Sequence, residues 1–256
     1  MNNVLIIDDD EQLTEVLEEY LVKFGFTVSC AHAPSEGLKL LRSSAPDVLI
    51  LDVMLPGRSG FDILRDLRAQ DDTRDLPVMI VPFAPSQDYE TAALFFISAL
   101  NWAKERIWLS APYFVPDDGV MNALELAALR GVDVRIITTG KPDSWAVYLA
   151  AFSYIDRLRE TGIRFYAYEP GFLHEKVMLV DDKVSTVGTP NFDNRSFRLN
   201  FEVTAMVVDE AFAKEMEMMF EADFAHSRLI DPAIMDSKPF WWRLGVNRSR
   251  LAAPVL

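Results

Sequence analysis

From Val4 to about Asp209, short runs of β-branched and aliphatic residues alternate with stretches whose apolar positions recur every three or four residues. That alternation predicts an α/β protein, a sheet covered by helices. The first strand is Val4 to Ile7. Leu13, Val16, Leu17, Tyr20, Leu21 and Phe24 then share a helical face, and Gly25 stands where a left-handed terminator is favoured. "FTVSCAH", a helix around Leu38 to Leu41, "DVLILDV", a helix from Ser59 through Leu67, and "LPVMIV" continue the repeat with short links. Repeated strand–helix–strand units of this kind imply parallel strands.

Beyond Pro85 a helix carries Leu94, Phe95, Ile97, Ala99 and Trp102. It is followed by "RIWLSAPYF", a helix ending at "RGV", "VDVRIITTG", a helix from Ser144 to Thr161 closed by Gly162, and "IRFYAY". Three strand-like runs come next, "HEKVMLVDD", "KVSTVG" and "FEVTAMVVD", separated by turns rather than helices. The pattern changes here from β-α repetition to adjacent strands. A last amphipathic helix with Met216, Met218, Met219 and Phe220 precedes "KPFWWRLGVNRSRLAAPVL", which reads as an irregular tail. The methionines read as core filler, and there is no internal repeat or low-complexity linker.

Composition narrows the function. With 256 residues, 50% of them hydrophobic and 25% charged, the chain is an ordinary globule of one large or two modest domains. A formal net charge of −14 argues against nucleic acid, whose binding needs clustered Lys and Arg to displace counterions. A single cysteine, Cys30, excludes an internal disulfide, and the start "NVLIIDDD" has no signal pattern, so a cytoplasmic location is expected. The longest apolar stretch, "TAALFFISALNWA", stops at Lys104, short of the roughly 20 residues that span a bilayer.

Two places carry chemistry. "VLIIDDD" and "LILDVMLPGRSG" put Asp8, Asp9 and Asp52 at the ends of the first and third strands, which converge at a topological switch point of a parallel sheet. Carboxylates so gathered suit a hard cation such as Mg²⁺. With these motifs, residues 1–80 resemble the first two thirds of a response-regulator receiver domain, a flavodoxin-like fold. The resemblance implies that Asp52 is the phosphoacceptor and that Asp8, Asp9 and Asp52 hold Mg²⁺. Receivers also carry a Thr or Ser after strand four and a Lys after strand five; here Pro82 falls at the hydroxyl position, and aligning "VPF" with the family's "KPF" puts Val81 in place of the lysine. Phosphorylation of Asp52 is therefore not expected.

The second place runs from His174 to Glu202: His174, Lys176, four residues, Asp181, six residues, then Gly188, Thr189, Pro190 and Asn191. On a strand His174 and Lys176 share a face. The set suits phosphodiester chemistry, in which a neutral imidazole attacks phosphorus while an ammonium and amide donors stabilise the negative oxygens. No metal or other cofactor is needed for that. Each residue alone reads blandly, as a core histidine or a solvated lysine; the spacing makes the set specific.

With "APYFVPD", "AALRGVDVRI", "YEPGFLHEK", "VGTPNFDNRSFRLNFE" and "RLAAPVL", residues 81–256 resemble the C-terminal catalytic half of a cardiolipin synthase of the phospholipase D superfamily. The expected fold is a mixed sheet flanked by helices. The resemblance makes His174 a nucleophile or general acid and Lys176, Gly188, Thr189, Asn191 and Arg195 the phosphate-binding set, with Arg195 and Ser196 shaping the same pocket. Asp181 and Glu202 either orient an imidazole or stabilise local structure. The family uses two such motifs, whereas His32 and His226 lack the lysine, the aspartate and the asparagine turn. One chain therefore holds half a site, and a homodimer is expected to complete it, with a phospholipid of the phosphatidylglycerol type as substrate. The competing readings are a phosphorelay module and a folded but inactive hybrid. "FWWRLGVNRSR" mixes aromatics and arginines as interfacial segments do, which would place the protein peripherally at the inner membrane; alternatively it is a C-terminal clasp, the reading preferred here.

Overall fold

The computed structural model describes residues 3–53, 55–81, 91–198, 200 and 202–253. The chain divides into two compact units, one of Met1–Pro82 with Thr204–Asp209 and one of Phe83–Val203 with Glu210–Leu256.

In the first unit, β1 (Asn3–Ile7), α1 (Glu11–Lys23), β2 (Thr27–Ala31), α2 (Pro34–Ser44), β3 (Val48–Asp52), α3 (Gly60–Arg68) and β4 (Val78–Val81) alternate as the periodicity predicts. The sheet order is β2-β1-β3-β4, all parallel, with Val4 opposite both Val28 and Val48. Leu5, Ile6, Ile7, Leu49 and Leu51 are buried, as strands covered on both faces require. Asp10 caps α1 by accepting from the amides of Gln12 and Leu13, and Ser59 caps α3 through Phe61 N–H. The loop after β3 depends on two glycines. Gly57 has φ of +79°, and a Cβ at Gly60 would lie 2.1 Å from the carbonyl oxygen of Asp52.

The second unit opens with α4 (Thr91–Trp102), β5 (Arg106–Ser110), β6 (Phe114–Val115), α5 (Asp118–Leu129), β7 (Asp133–Thr139), α6 (Trp145–Arg157) and β8 (Arg164–Tyr168). It continues through β9 (Val177–Val180), β10 (Val184–Gly188), β11 (Phe192–Asp193) and α7 (Asn194–Arg198). β12 (Thr204–Val208) is grouped with the first unit, and α8 (Glu210–Ala225), β13 (Ser227–Leu229) and α9 (Phe240–Leu251) complete the second. Its strands follow the order β10-β9-β5-β7-β8-β13. β5, β7 and β8 are parallel, while β9, β10 and β13 pair antiparallel with their neighbours, so the sheet is mixed. One face packs Trp108, Leu179, Met216 and Phe220 together, and Met216 is indeed core filler.

Three expectations change. The strand read as beginning at His174 begins at Val177, so His174 and Lys176 lie in the approach to β9 rather than on it. β13 was not foreseen, because three residues bounded by a helix end carry no period. The tail read as irregular contains α9, one face of which packs on α6: the ring centroids of Trp242 and Phe152 are 4.7 Å apart, and Gly245 lies against Leu149. Interleaved arginines and aromatics hide the helical period of this segment, and packing rather than local pattern decides it.

Candidate functional site

The second site is built where β9 begins and β10 ends. The two strands form an antiparallel hairpin with Val184 opposite Val180 and Val187 opposite Val177. Gly188 N–H continues the ladder, donating to the carbonyl of Lys176 at 3.0 Å. That register brings the His174-x-Lys176 approach beside the Gly188-Thr189-Pro190-Asn191 turn. Lys176 Nζ donates to the carbonyl of His174 at 2.8 Å, and the exposed His174 ring lies 5.9 Å from that of Phe172. Burial pushes the Lys176 ammonium below its usual range, while the carboxylates of Glu202 and Asp193 pull the other way. Phosphate oxygens would thus meet a cation that is partly stripped of water and therefore unscreened.

The turn is braced from below. Thr189 N–H donates to the carbonyl of Val203 at 2.8 Å, and Thr189 Oγ1 donates to Glu202 Oε2 and accepts from Val203 N–H at 2.9 Å. Glu202 is buried, and its other oxygen accepts from Asn200 Nδ2 at 3.0 Å. Asn191 N–H donates to Ser196 Oγ at 3.1 Å, and Ser196 N–H donates to Asp193 Oδ1 at 2.7 Å. Asn191 Oδ1 is buried and has no hydrogen-bond partner among the described residues; an amide oxygen only accepts, so phosphate oxygens could be met by its Nδ2 alone. Arg195 is exposed on α7 and Ser196 is buried on the same short helix.

The structure thus gathers His174, Lys176, Gly188, Thr189, Asn191, Ser196 and Glu202, with Arg195 beside them. It separates Asp181, which sits at the far end of β9. Its Oδ1 accepts from the amides of Glu105 at 2.9 Å and Arg106 at 3.1 Å, and Oδ2 accepts from Lys104 N–H at 3.1 Å. The expected choice between orienting an imidazole and stabilising local structure therefore falls, for Asp181, on the second: it anchors the start of β5 from a left-handed backbone, φ 52°. Both Glu202 oxygens are engaged by Thr189 and Asn200, so it braces the turn.

Two residues were missed. Asp193 is buried, and burial raises its pKa against the lowering effect of its bonds from Ser196. Glu175 lies between the two motif residues; burial first, and then the charge of Asp223, raises its pKa. Both were visible as carboxylates inside the quoted motifs, but spacing alone gave them no task.

In the first unit, one oxygen from each of Asp8, Asp9 and Asp52 lies within 4.8 Å of the others. Asp8 and Asp52 are buried and Asp9 is exposed. Burial raises the pKa of Asp8, opposed by its bond from Asp10 N–H and reinforced by the charges of Asp9 and Asp10. An all-oxygen set with one raised carboxylate fits a small hard dication. Pro82, the position where receivers carry a hydroxyl, lies outside the described residues, as does the side chain of Val81. His32 bonds to the carbonyl of Asp8 through Nδ1 at 3.1 Å and His226 to that of Ala222 at 2.8 Å; neither stands in a site of the second kind.

The second unit is thus a mixed sheet in which a His-x-Lys approach lies beside an asparagine turn. The family model described as cardiolipin synthase, PLD-like domain, matches residues 96–224, half of the chain, and that for the response regulator receiver domain matches residues 4–96. This chain belongs to the family of cardiolipin synthase phospholipase D-like domains, and the segment ahead of that part is similar to the receiver domain. Cardiolipin synthase A of Pseudomonas aeruginosa (strain LESB58) is 46% identical over 190 residues, which are 74% of this chain and 39% of that protein. The same enzyme of Pseudomonas putida (strain W619) is 44% identical over 198 residues, 72% of this chain and 41% of that protein. The chain thus spans about two fifths of the length of these curated relatives. Among solved structures, phosphatidylserine synthase of Haemophilus influenzae Rd KW20 shares the fold, with a TM-score of 0.54 at 15% identity over 71% of this chain and 47% of that one.

Proposed function

We propose that this protein transfers or hydrolyses phosphatidyl groups through His174, in a site completed by the same residues of a second copy. The observation that carries the reading is the convergence of His174, the partly desolvated Lys176 and the Gly188–Asn191 turn at one end of the β9–β10 hairpin. The names of the relatives support a phospholipid substrate, with phosphatidylglycerol as the candidate.

In this scheme a neutral His174 imidazole attacks phosphorus, forming a P–N bond as the P–O bond to the leaving alcohol breaks. The leaving oxygen takes its proton from the other copy's imidazolium. An acceptor hydroxyl then gives its proton to that imidazole and displaces the histidine, restoring both rings. Lys176 and Asn191 hold the non-bridging oxygens, whose charge grows in the five-coordinate state. Thr189, Ser196 and Glu202 keep the turn in place. Among the described residues the His174 imidazole has no hydrogen-bond partner, and the facing copy would supply one. Isologous pairing would do this with the two-fold axis passing near His174, because a residue beside the axis meets its own symmetry mate. Quenching the protein with alkaline detergent during turnover of a phosphate-labelled phosphodiester tests the scheme, because a P–N bond survives alkali and not acid. Label bound covalently to the wild type and absent from His174→Ala supports it; label retained by His174→Ala refutes it.

The acidic cluster favours a second property, binding of Mg²⁺ by Asp8, Asp9 and Asp52. Bound there, the cation would offset the mutual repulsion of the three carboxylates and order the strand ends that carry them. It takes no part in the phosphatidyl chemistry.

A further inference from the structure

One face of α9 packs on α6 through Trp242, Gly245 and the buried Val246. The opposite face is open, and its content is unusual for a solvated helix. At 3.6 residues per turn Phe240, the half-buried Leu244 and Leu251 line up along it. Phe240 is 68% exposed and Leu251 is 83% exposed. Arg243 and Arg250, seven residues apart, run along one flank; Trp241, 77% exposed, and Arg248, also seven apart, run along the other. The helix contains no acidic residue, in a chain whose net charge is −14. Among the described residues none of its three arginines is ion-paired with a carboxylate.

An apolar stripe between two cationic flanks is poor design for water and good design for a lipid headgroup boundary. There the stripe enters the acyl edge, the indole sits at the interface and the guanidinium groups meet phosphates. We propose that the outer face of α9 is the surface by which this protein rests on a bilayer of anionic phospholipid. Charge selects the occupant. A strongly acidic protein is repelled by an anionic surface everywhere except at a local cationic patch, so such a patch both binds and orients the molecule. No helix among the described residues is long and apolar enough to cross a membrane, so this attachment lies along the surface. The inference deepens the lipid-substrate reading but does not need turnover.

The test is flotation of the full chain with vesicles of phosphatidylglycerol and phosphatidylethanolamine, and with vesicles of phosphatidylcholine alone. The expected result is partition onto the anionic vesicles only. Partition should fall about tenfold or more in Phe240→Ser/Trp241→Ser, where roughly two large apolar side chains no longer enter the interface. A similar fall is expected in Arg243→Gln/Arg248→Gln/Arg250→Gln, with a weaker dependence on salt. All five side chains project from the helix, so circular dichroism melts of both variants should match the wild type. His174→Ala should float like the wild type, which separates this claim from the catalytic one. Unchanged flotation of either variant overturns the proposal. So does light scattering, without lipid, that shows an oligomer dissolved by Phe240→Ser/Trp241→Ser, because the face would then belong to a second copy.

Discussion

Lys176 Nζ donates to the backbone carbonyl of His174 at 2.8 Å, so the two residues that open the motif are tied together. The lysine thus has two tasks, holding the approach to β9 and presenting charge. Gln at this position keeps a donor for the carbonyl and loses the charge. Lys176→Gln should therefore fold and melt like the wild type while phosphatidylglycerol turnover falls by ~10³, the scale of losing one preorganised oxyanion contact. Turnover within a fewfold of wild type would assign the lysine to structure alone.

Asp181 makes the opposite prediction. Its carboxylate serves three consecutive amides, Lys104 to Arg106, far from the imidazole. Asp181→Ala should cost about 2–3 kcal/mol, since bonds to a charged acceptor are lost together, and lower the melting temperature by roughly 4–12 °C for a chain of this size. Turnover per folded molecule should stay unchanged. Asp181→Asn should cost less, because asparagine tolerates the left-handed backbone.

The pH profile reports the surroundings of Lys176. Burial lowers its pKa, and the negative charges of Glu202 and Asp193 limit the fall. A lysine needed as a cation loses its contribution as pH rises through its folded pKa. Glu202→Gln keeps hydrogen-bonding groups for Thr189 and Asn200 but removes one of the charges that holds the pKa up. The alkaline limb of kcat/KM should therefore move to lower pH, as a rate-against-pH series would show. A limb that stays in place would mean that Glu202 does not act on the lysine's charge.

Metal binding in the first unit should compete with protons. Because burial raises the pKa of Asp8, protonation of this group begins at a higher pH than for an ordinary aspartate. Calorimetric titration with MgCl₂ should give weaker binding at pH 5 than at pH 7.5, and at least tenfold weaker binding in Asp52→Asn, whose neutral amide replaces one of three charged ligands. Equal affinity in the variant would remove Asp52 from the site.

The strand–helix repeat of the first unit was legible because β1 and β3 are nearly continuous apolar runs, whereas β2 (TVSCA) is mixed and Val16, Tyr20 and Phe24 of the α1 stripe prove exposed. The order β10-β9-β5-β7-β8-β13 was not, because pairing between distant strands leaves no local mark. Most of the site was readable from the spacing of His174, Lys176, Gly188 and Asn191. The division of labour between Asp181 and Glu202 was not: spacing names a carboxylate, and only the three amides of the β5 approach and the Thr189 hydroxyl show what each one holds. α9 was hidden for a related reason, since its buried side is set by contact with Phe152 and Leu149 rather than by its own period.

The shared-site account is tested most directly by phosphatidylglycerol turnover across a protein concentration series, with light scattering on the same samples and His174→Ala alongside. Specific activity should rise with the fraction of dimer and vanish in the variant. Full turnover by a monodisperse monomer, or none from a well-folded dimer, would contradict it.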